Sequence, residues 1–189
     1  MMSAMEYQRL CPPSPFANGE LIVTTKTGRA VTARPLDRQD ASLLVDLFNR
    51  LSERTRRLRF SKPRSTAELV WHEATRLANS DPQADTTLVG VVREEGEDRA
   101  VALVQIVRVG ATIAEIAAVV RDDYQNEGLG KAICRLAAQV AMARGVRTLE
   151  ILTQAENKAV QWLVRGTGLA YTSEMRRGEV TIFLHLPVS

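Results

Sequence analysis

The chain has 189 residues, with 25 Lys and Arg against 22 Asp and Glu, for a formal net charge of +3. Its 45% hydrophobic and 25% charged residues are ordinary for a soluble globular protein and exclude a disordered or fibrous chain. A domain of this length buries roughly 70% of the surface its unfolded chain exposes, so it needs neither disulfides nor a structural metal to fold.

Residues 1 to about 18 carry no hydrophobic period and hold Pro12, Pro13 and Pro15, which predicts a flexible tail, with 19–189 as a single domain. Alternation predicts a first strand over 28–36. Asp37 or Asp40 then caps a helix running to Leu51, with Leu43, Leu44, Leu47 and Phe48 on one face. Residues 52–60 form a short basic helix. Ser65-Thr66-Ala67-Glu68 has the spacing of a capping box, and a helix bearing Leu69, Trp71 and Leu77 follows until Pro82. Strands are predicted over 86–93 and 100–109, joined by a turn at Glu94-Glu95-Gly96-Glu97-Asp98, and a third over 112–121. Apolar residues stepping by three and four predict a helix over 129–144, with Gly145 as its C-terminal cap. A strand over 148–152, a helix over 157–166 and a hairpin of 169–175 and 179–186 around Arg177-Gly178 complete the chain. The order is that of a mixed α/β domain, neither a repeating βαβ fold nor an all-β one.

The stretch richest in chemistry is Glu115-Ile116-Ala117-Ala118-Val119-Val120, followed by the turn Gln125-Asn126-Glu127-Gly128-Leu129-Gly130 and then Lys131. Two glycines at a strand-to-helix turn let a ligand approach the backbone, and unpaired amides at the helix start favour an anion such as a pyrophosphate. The dinucleotide fingerprint fails because Ile133 stands where a third glycine is needed. The Walker loop fails at Gln125 and Ala132. What remains is Gln-x-x-Gly-x-Gly, which on its own also fits a helix start that happens to be Gly-rich.

With Val120 five residues before Gln125, this loop resembles the acyl-CoA loop of the GNAT superfamily of N-acyltransferases. The likeness runs from residue 28 almost to the end and includes Asn157 and the Gly168-Leu169 step. Arg34-Pro35-Leu36, Asp40, Leu51-Ser52-Glu53 and Leu58-Arg59-Phe60 are similar to the bacterial protein-lysine acetyltransferases, the Pat group, as is Ala114-Glu115-Ile116-Ala117. The resemblance implies a GNAT fold: a central, mostly antiparallel sheet splayed at the acyl-CoA site, with helices on both faces. It implies that Gln125, Asn126, Glu127, Gly128, Leu129, Gly130 and Lys131 form the pyrophosphate loop of acetyl-CoA. Ala118, Val119 and Val120 would offer main-chain groups to the pantetheine arm and acyl carbonyl, and Asn157 would touch the pantetheine or adenine end. Asn157 is equally well placed as a helix N-cap.

Glu115 is a carboxylate on an otherwise small and apolar strand. Partial desolvation there would suit a general base, the role the resemblance gives it, against the alternative of a glutamate on a solvated strand face. The tyrosine that many GNAT enzymes carry seven residues after the Asn157 position is Val164 here, and the Pat group also lacks it. A leaving thiol with a pKa of about 8 to 9 can be protonated by water. Tyr124 and Tyr171 are spare acids. Cys134 reads as a small buried hydrophobe in place of a nucleophile, and His72 and His185 as packing or surface residues.

Residues 50–64 hold Arg50, Arg54, Arg56, Arg57, Arg59, Lys62 and Arg64 against Glu53 alone, a local surplus of six that leaves the rest of the chain three charges negative. Such a stripe is a solvated face, an acidic partner's docking surface, a site for the 3′-phosphate of CoA or a nucleic-acid contact. Phe60 is the one aromatic in it, which disfavours nucleic acid. In the family fold the segment borders the acceptor groove. Cys11 and Cys134 are too few for a disulfide framework, and with two distant histidines no zinc site of usual spacing can be drawn. No apolar run approaches the ~20 residues that span a bilayer, and no signal peptide follows Arg9, so a reduced, cytoplasmic chain is expected.

These residues together predict an acetyl-CoA-dependent N-acetyltransferase with no metal. Its acceptor is a primary amine, by resemblance a protein lysine, with an acyl-CoA synthetase as one candidate carrier. The alternatives are a small-molecule amine acetyltransferase and a non-catalytic acyl-CoA sensor, which would need the loop but not Glu115.

Overall fold

The computed structural model describes residues 16, 19–60, 67–81 and 85–187. The elements in chain order are β1 (Leu21–Thr24), β2 (Ala30–Pro35), a 3₁₀ turn (Arg38–Asp40), α1 (Ala41–Arg50), α2 (Glu53–Arg59), α3 (Ala67–Ala78), β3 (Asp85–Glu94), β4 (Glu97–Arg108) and β5 (Ile113–Val120). A 3₁₀ turn (Asp122–Tyr124), α4 (Leu129–Ala143), β6 (Thr148–Gln154), α5 (Lys158–Arg165), β7 (Tyr171–Arg176) and β8 (Glu179–His185) follow. The strands form one eight-stranded sheet in the order β1-β2-β3-β4-β5-β6-β8-β7.

The sheet is antiparallel throughout except between β5 and β6, because the chain between those strands is the long crossover helix α4. Alternation on β3, β4 and β5 sends side chains to two faces, and each face is covered. Ile133, Ala137 and Ala141 of α4 close one core with Val101, Val104, Ile116 and Ile182. Leu44, Leu47 and Phe48 of α1 and Val70, Ala74 and Leu77 of α3 close the other with Val89, Leu103 and Val119. The mixed α/β fold with helices on both faces is therefore the one expected.

Several details differ from expectation. The reading of the sequence left out β1, a four-residue edge strand that pairs with β2 from Leu21↔Ala33 to Thr24↔Ala30. The turn between β3 and β4 is only two residues, Glu95 (φ 51°) and Gly96 (φ 84°), the left-handed pair that matches strand twist, so β4 begins three residues early. On α3 the buried positions are Val70, Glu73, Ala74, Leu77 and Ala78, while Leu69 and Trp71 are exposed. Glu73 sits in that seam because Arg76 grips both of its oxygens, at 2.9 and 3.0 Å. Asp37 caps the 3₁₀ turn before α1, while Asp40 turns to Arg34 in a two-point ion pair at 2.6 and 2.9 Å. The expected tail (apart from Phe16), the Ser65-Thr66 start of the capping box and Pro82 lie outside the described residues.

The feature that positions a site is the parting of β5 from β6. The two strands pair over only three rungs, Ile113↔Thr148, Ala114↔Leu149 and Glu115↔Glu150, although β5 stays paired with β4 through Val120. Beyond Glu115 the sheet opens into a wedge.

Candidate active site

The main chain of Arg121 donates to Val101 O at 2.8 Å, on the β4 side. Strand alternation then turns Val119 and Ala117 to β4 as well, and leaves the peptide groups of Ile116, Ala118 and Val120 facing the wedge. Of the three residues expected to offer main-chain groups, Ala118 and Val120 turn theirs toward the wedge. Val119 is spent on β4, with its side chain buried in the α1–α3 core.

The loop closes the wide end of the wedge. Asn126 (φ 62°) and Gly128 (φ 86°) both take left-handed conformations, which reverse the chain within four residues. Gly128 is the N-cap of α4 and has no side chain to satisfy that helix. The first amide bonded back is that of Ala132, to Gly128 O at 3.1 Å, so the amides of Leu129, Gly130 and Lys131 point out of the helix start. A Cβ on Gly130 would stand 3.6 Å from Val120 Cγ2, so the helix start lies directly against the last residue of β5. Leu129 is buried and anchors the turn.

The side chains of this loop hold its shape. Gln125 Nε2 donates to Val120 O at 3.0 Å and to Thr55 Oγ1 at 3.3 Å. Glu127 faces away from the amides and accepts from Thr27 Oγ1 at 2.8 Å and from Arg29 Nε at 3.1 Å, with a further short bond from Arg29 Nη2. The Arg29 hydrogen bond holds the Glu127 carboxyl below its usual range. Behind the loop Arg121 is almost fully buried and bonds Asp123 and Glu94. Burial works against its charge, but those two carboxylates outweigh it and hold its pKa above the ordinary guanidinium range. Lys131 reaches the end of α5, its Nζ 3.9 Å from where Gly166 would carry a Cβ.

Glu115 stands on the last rung before the wedge, beside Glu150 of β6 and Val107 of β4. Its side chain is exposed, so the expected partial desolvation is absent in the free chain. The reason is coverage: α1–α3 cover this face of the sheet over Val119 and Leu103, while Glu115 lies four residues further down β5. Asn157 is buried at the head of α5, and its side chain makes no cap bond, its Nδ2 donating instead to Thr153 Oγ1 at 3.0 Å.

The basic helix α2 lies across the mouth of the wedge. Its N-terminal residues are held by Asp122, which accepts from Ser52 N (2.9 Å), Ser52 Oγ (2.7 Å) and Thr55 Oγ1 (2.7 Å). Its other side reaches the β6–α5 turn, where Arg57 pairs with Glu156 at 3.6 Å. Arg50 is taken by Asp46 and Arg59 lies over the Phe60 ring, while Arg54 and Arg57 are exposed. Lys62 and Arg64 lie outside the described residues.

The profile of the acetyltransferase (GNAT) family matches residues 46–168, a span that holds α2, the wedge, the loop and α5. The chain belongs to the GNAT acetyltransferase family. It is 34% identical over 148 residues, 75% of each chain, to acetyltransferase PA5475 of Pseudomonas aeruginosa. Among solved structures it is similar to the GNAT domain of S. lividans PAT, with a TM-score of 0.78 and 24% identity over 90% of this chain and 98% of that one. It is also similar in fold to a cAMP-binding acyltransferase from Mycobacterium smegmatis, with a TM-score of 0.58 and 22% identity over 90% of this chain and 48% of that one. GNAT enzymes carry an acyl group from a CoA thioester to an acceptor.

The remaining candidates in this GNAT chain are occupied or remote. Val164 is buried in the α4-side core. Tyr124 is buried, its hydroxyl donates to Glu94 Oε1 at 3.1 Å, and burial raises its pKa. Tyr171 is on the exposed edge strand β7. Cys134 packs against the core, where burial pushes its thiol up to about 11, far from a nucleophile's range. His72 and His185 are exposed. Among the described residues no group of three or more His, Cys, Asp or Glu could hold a metal ion, and no helix is long and apolar enough to cross a membrane. The sequence reading missed Thr27, Arg29 and Arg121, which fix the loop.

Proposed function

We propose that this enzyme transfers acetyl from acetyl-CoA to a primary amine, the side chain of a protein lysine, with Glu115 as general base and residues 19–189 as one catalytic domain. The observation that carries the reading is the opening of β5 from β6 directly above Glu115, onto a loop whose helix-start amides have no competing side chain. The fit to acetyl-CoA is chemical as well as spatial. Amides without Cβ shielding at Gly128 and Gly130 suit a pyrophosphate, and the unpaired strand edge at Ala118 suits the amide-bearing pantetheine arm.

Acetyl-CoA supplies an activated thioester. The amides of Leu129, Gly130 and Lys131 hold its phosphates, and the peptide group of Ala118 holds the arm and the acyl carbonyl. Asn157, beside Thr153 at the far wall, orients the arm. Glu115 accepts the proton that the acceptor ammonium must lose before it attacks, directly or through one water. An exposed base acquires its desolvation when the acceptor covers it. The thiolate leaves without an enzyme acid at position 164 and takes its proton from solvent.

A protein acceptor is supported by the matches to the Pat group in β2, α2 and β5, by the fold likeness to S. lividans PAT, and by the cationic α2 at the mouth of the wedge. Such a helix suits an acidic surface around the target lysine, an acyl-CoA synthetase being one carrier. The thiol of Cys134, the free cysteine among the described residues, suits a reducing cytoplasm. Incubation with labelled acetyl-CoA and a cell lysate tests this. Label on protein lysines is the expected result. Label confined to small amines would replace the acceptor class, and tight acetyl-CoA binding with no transfer would favour an acyl-CoA sensor.

A further inference from the structure

The turn between β1 and β2 is docked on the acyl-CoA loop, although the two are about a hundred residues apart in sequence. Lys26 N donates to Glu127 O at 2.9 Å. Thr27 and Arg29 hold the Glu127 carboxylate, and Arg29 also donates to Asp123 O at 2.6 Å with its guanidinium 3.5 Å from the Tyr124 ring centroid. The result is a two-part cradle. It also removes a conflict: a glutamate inside a phosphate loop would repel its ligand, and Arg29 neutralises it.

The Glu127 carboxylate is taken by Thr27 and Arg29, so the neighbouring Lys26 is not drawn into that pair. The Lys26 stem crosses the loop at Gly128, with Cγ and Cε 3.6 Å and Cδ 3.9 Å from the position a Cβ on Gly128 would take. Its side chain is exposed, and among the described residues no carboxylate pairs with its ammonium. A compact ammonium on a flexible stem is suited to a phosphate oxygen, and here it can swing over the helix-start amides.

We propose that Lys26 is a phosphate-binding residue of the enzyme, its ammonium taking the pyrophosphate of acyl-CoA from the side opposite the α4 amides. The cofactor site is then built from two distant segments, the β1–β2 turn and the β5–α4 loop. This rests on the reading of the loop as the acyl-CoA site. Stem placement favours the pyrophosphate over the 3′-phosphate, since the stem lies over Gly128 itself.

The test is calorimetric titration of wild type, Lys26→Gln and Lys26→Arg with acetyl-CoA and with dephospho-acetyl-CoA, which keeps the pyrophosphate and lacks the 3′-phosphate. Lys26→Gln should bind both ligands about three- to tenfold more weakly, with an unchanged ligand-free melting temperature, and Lys26→Arg should stay within about twofold of wild type. Unchanged affinity in Lys26→Gln, with wild type binding normally, would overturn the role of Lys26 alone. A loss seen with acetyl-CoA and absent with dephospho-acetyl-CoA would move the contact to the 3′-phosphate and overturn the assignment. Wild type that binds neither ligand would overturn the acyl-CoA reading of the loop and this inference with it.

Discussion

Glu115 is the residue on which the proposed chemistry turns. It lies at the foot of the wedge, exposed, with Glu150 beside it on the neighbouring strand. Glu115→Gln keeps the shape and removes the basicity, so kcat at pH 7 should fall by about 10² to 10⁴ while acetyl-CoA affinity stays the same. Raising the pH should recover part of the rate, because free amine then forms without an enzyme base. A variant with wild-type kcat on a protein substrate would remove Glu115 from the mechanism. The loop residues were legible in the sequence because Gly-x-Gly before an amphipathic run is a local signal. The direction of each peptide group was not. Whether Val119 faces β4 or the wedge depends on hydrogen-bond register with β4, which no local pattern encodes. The job of Gln125 was also hidden: its side chain holds Val120 O.

At the scale of elements, α2 is the part whose placement gives the basic stripe a meaning. Seven residues cannot hold a helix alone, and tertiary ties supply the rest. Asp122→Ala removes three hydrogen bonds at its N-terminus, each solvent-accessible, and should cost about 1 kcal/mol, read as a fall of about 2–4 °C in Tm. An unchanged Tm would mean that α2 is held by its packing on β5 instead. Arg57→Glu, exposed beside Glu156 across the wedge, should raise the acceptor KM and leave acetyl-CoA binding nearly intact. A raised acetyl-CoA Kd would assign the stripe to the cofactor. Most elements could be read from hydrophobic period and turn residues, since those signals sit within a few residues. β1 escaped because four residues with one exposed Ile22 carry little alternation; its evidence is its partner β2 and its contact with a distant loop. The face of α3 was misjudged because a buried Glu73 paired to Arg76 mimics a polar position.

Across the whole molecule, part-buried ion pairs and two apolar cores surround the wedge. Arg121 lowers the pKa of Glu94 and Asp123, and Arg29 that of Glu127. Burial pushes Asp40 and Asp122 the other way, but Arg34 for the first and the Ser52 and Thr55 bonds for the second leave them lowered too. Carboxylates with folded pKa values below their unfolded ones stabilise fully above the unfolded value, about 4, and that contribution is lost as pH falls through the folded values. Tm should therefore hold from pH 7 to about 5 and decline steadily below about pH 4; a flat profile to pH 3 would contradict the role of these carboxylates. In the proposed function, the strand gap and the α4 start form the acyl-CoA site. The most direct measurement is titration of acetyl-CoA into wild type and Gly130→Val. Valine is tolerated at a helical position that glycine disfavours, so the fold should persist, but its methyls would fill the approach beside Val120 Cγ2. Saturable binding to the wild type and its loss in Gly130→Val at unchanged ligand-free Tm are expected; equal affinity in the two proteins would contradict an acyl-CoA site there.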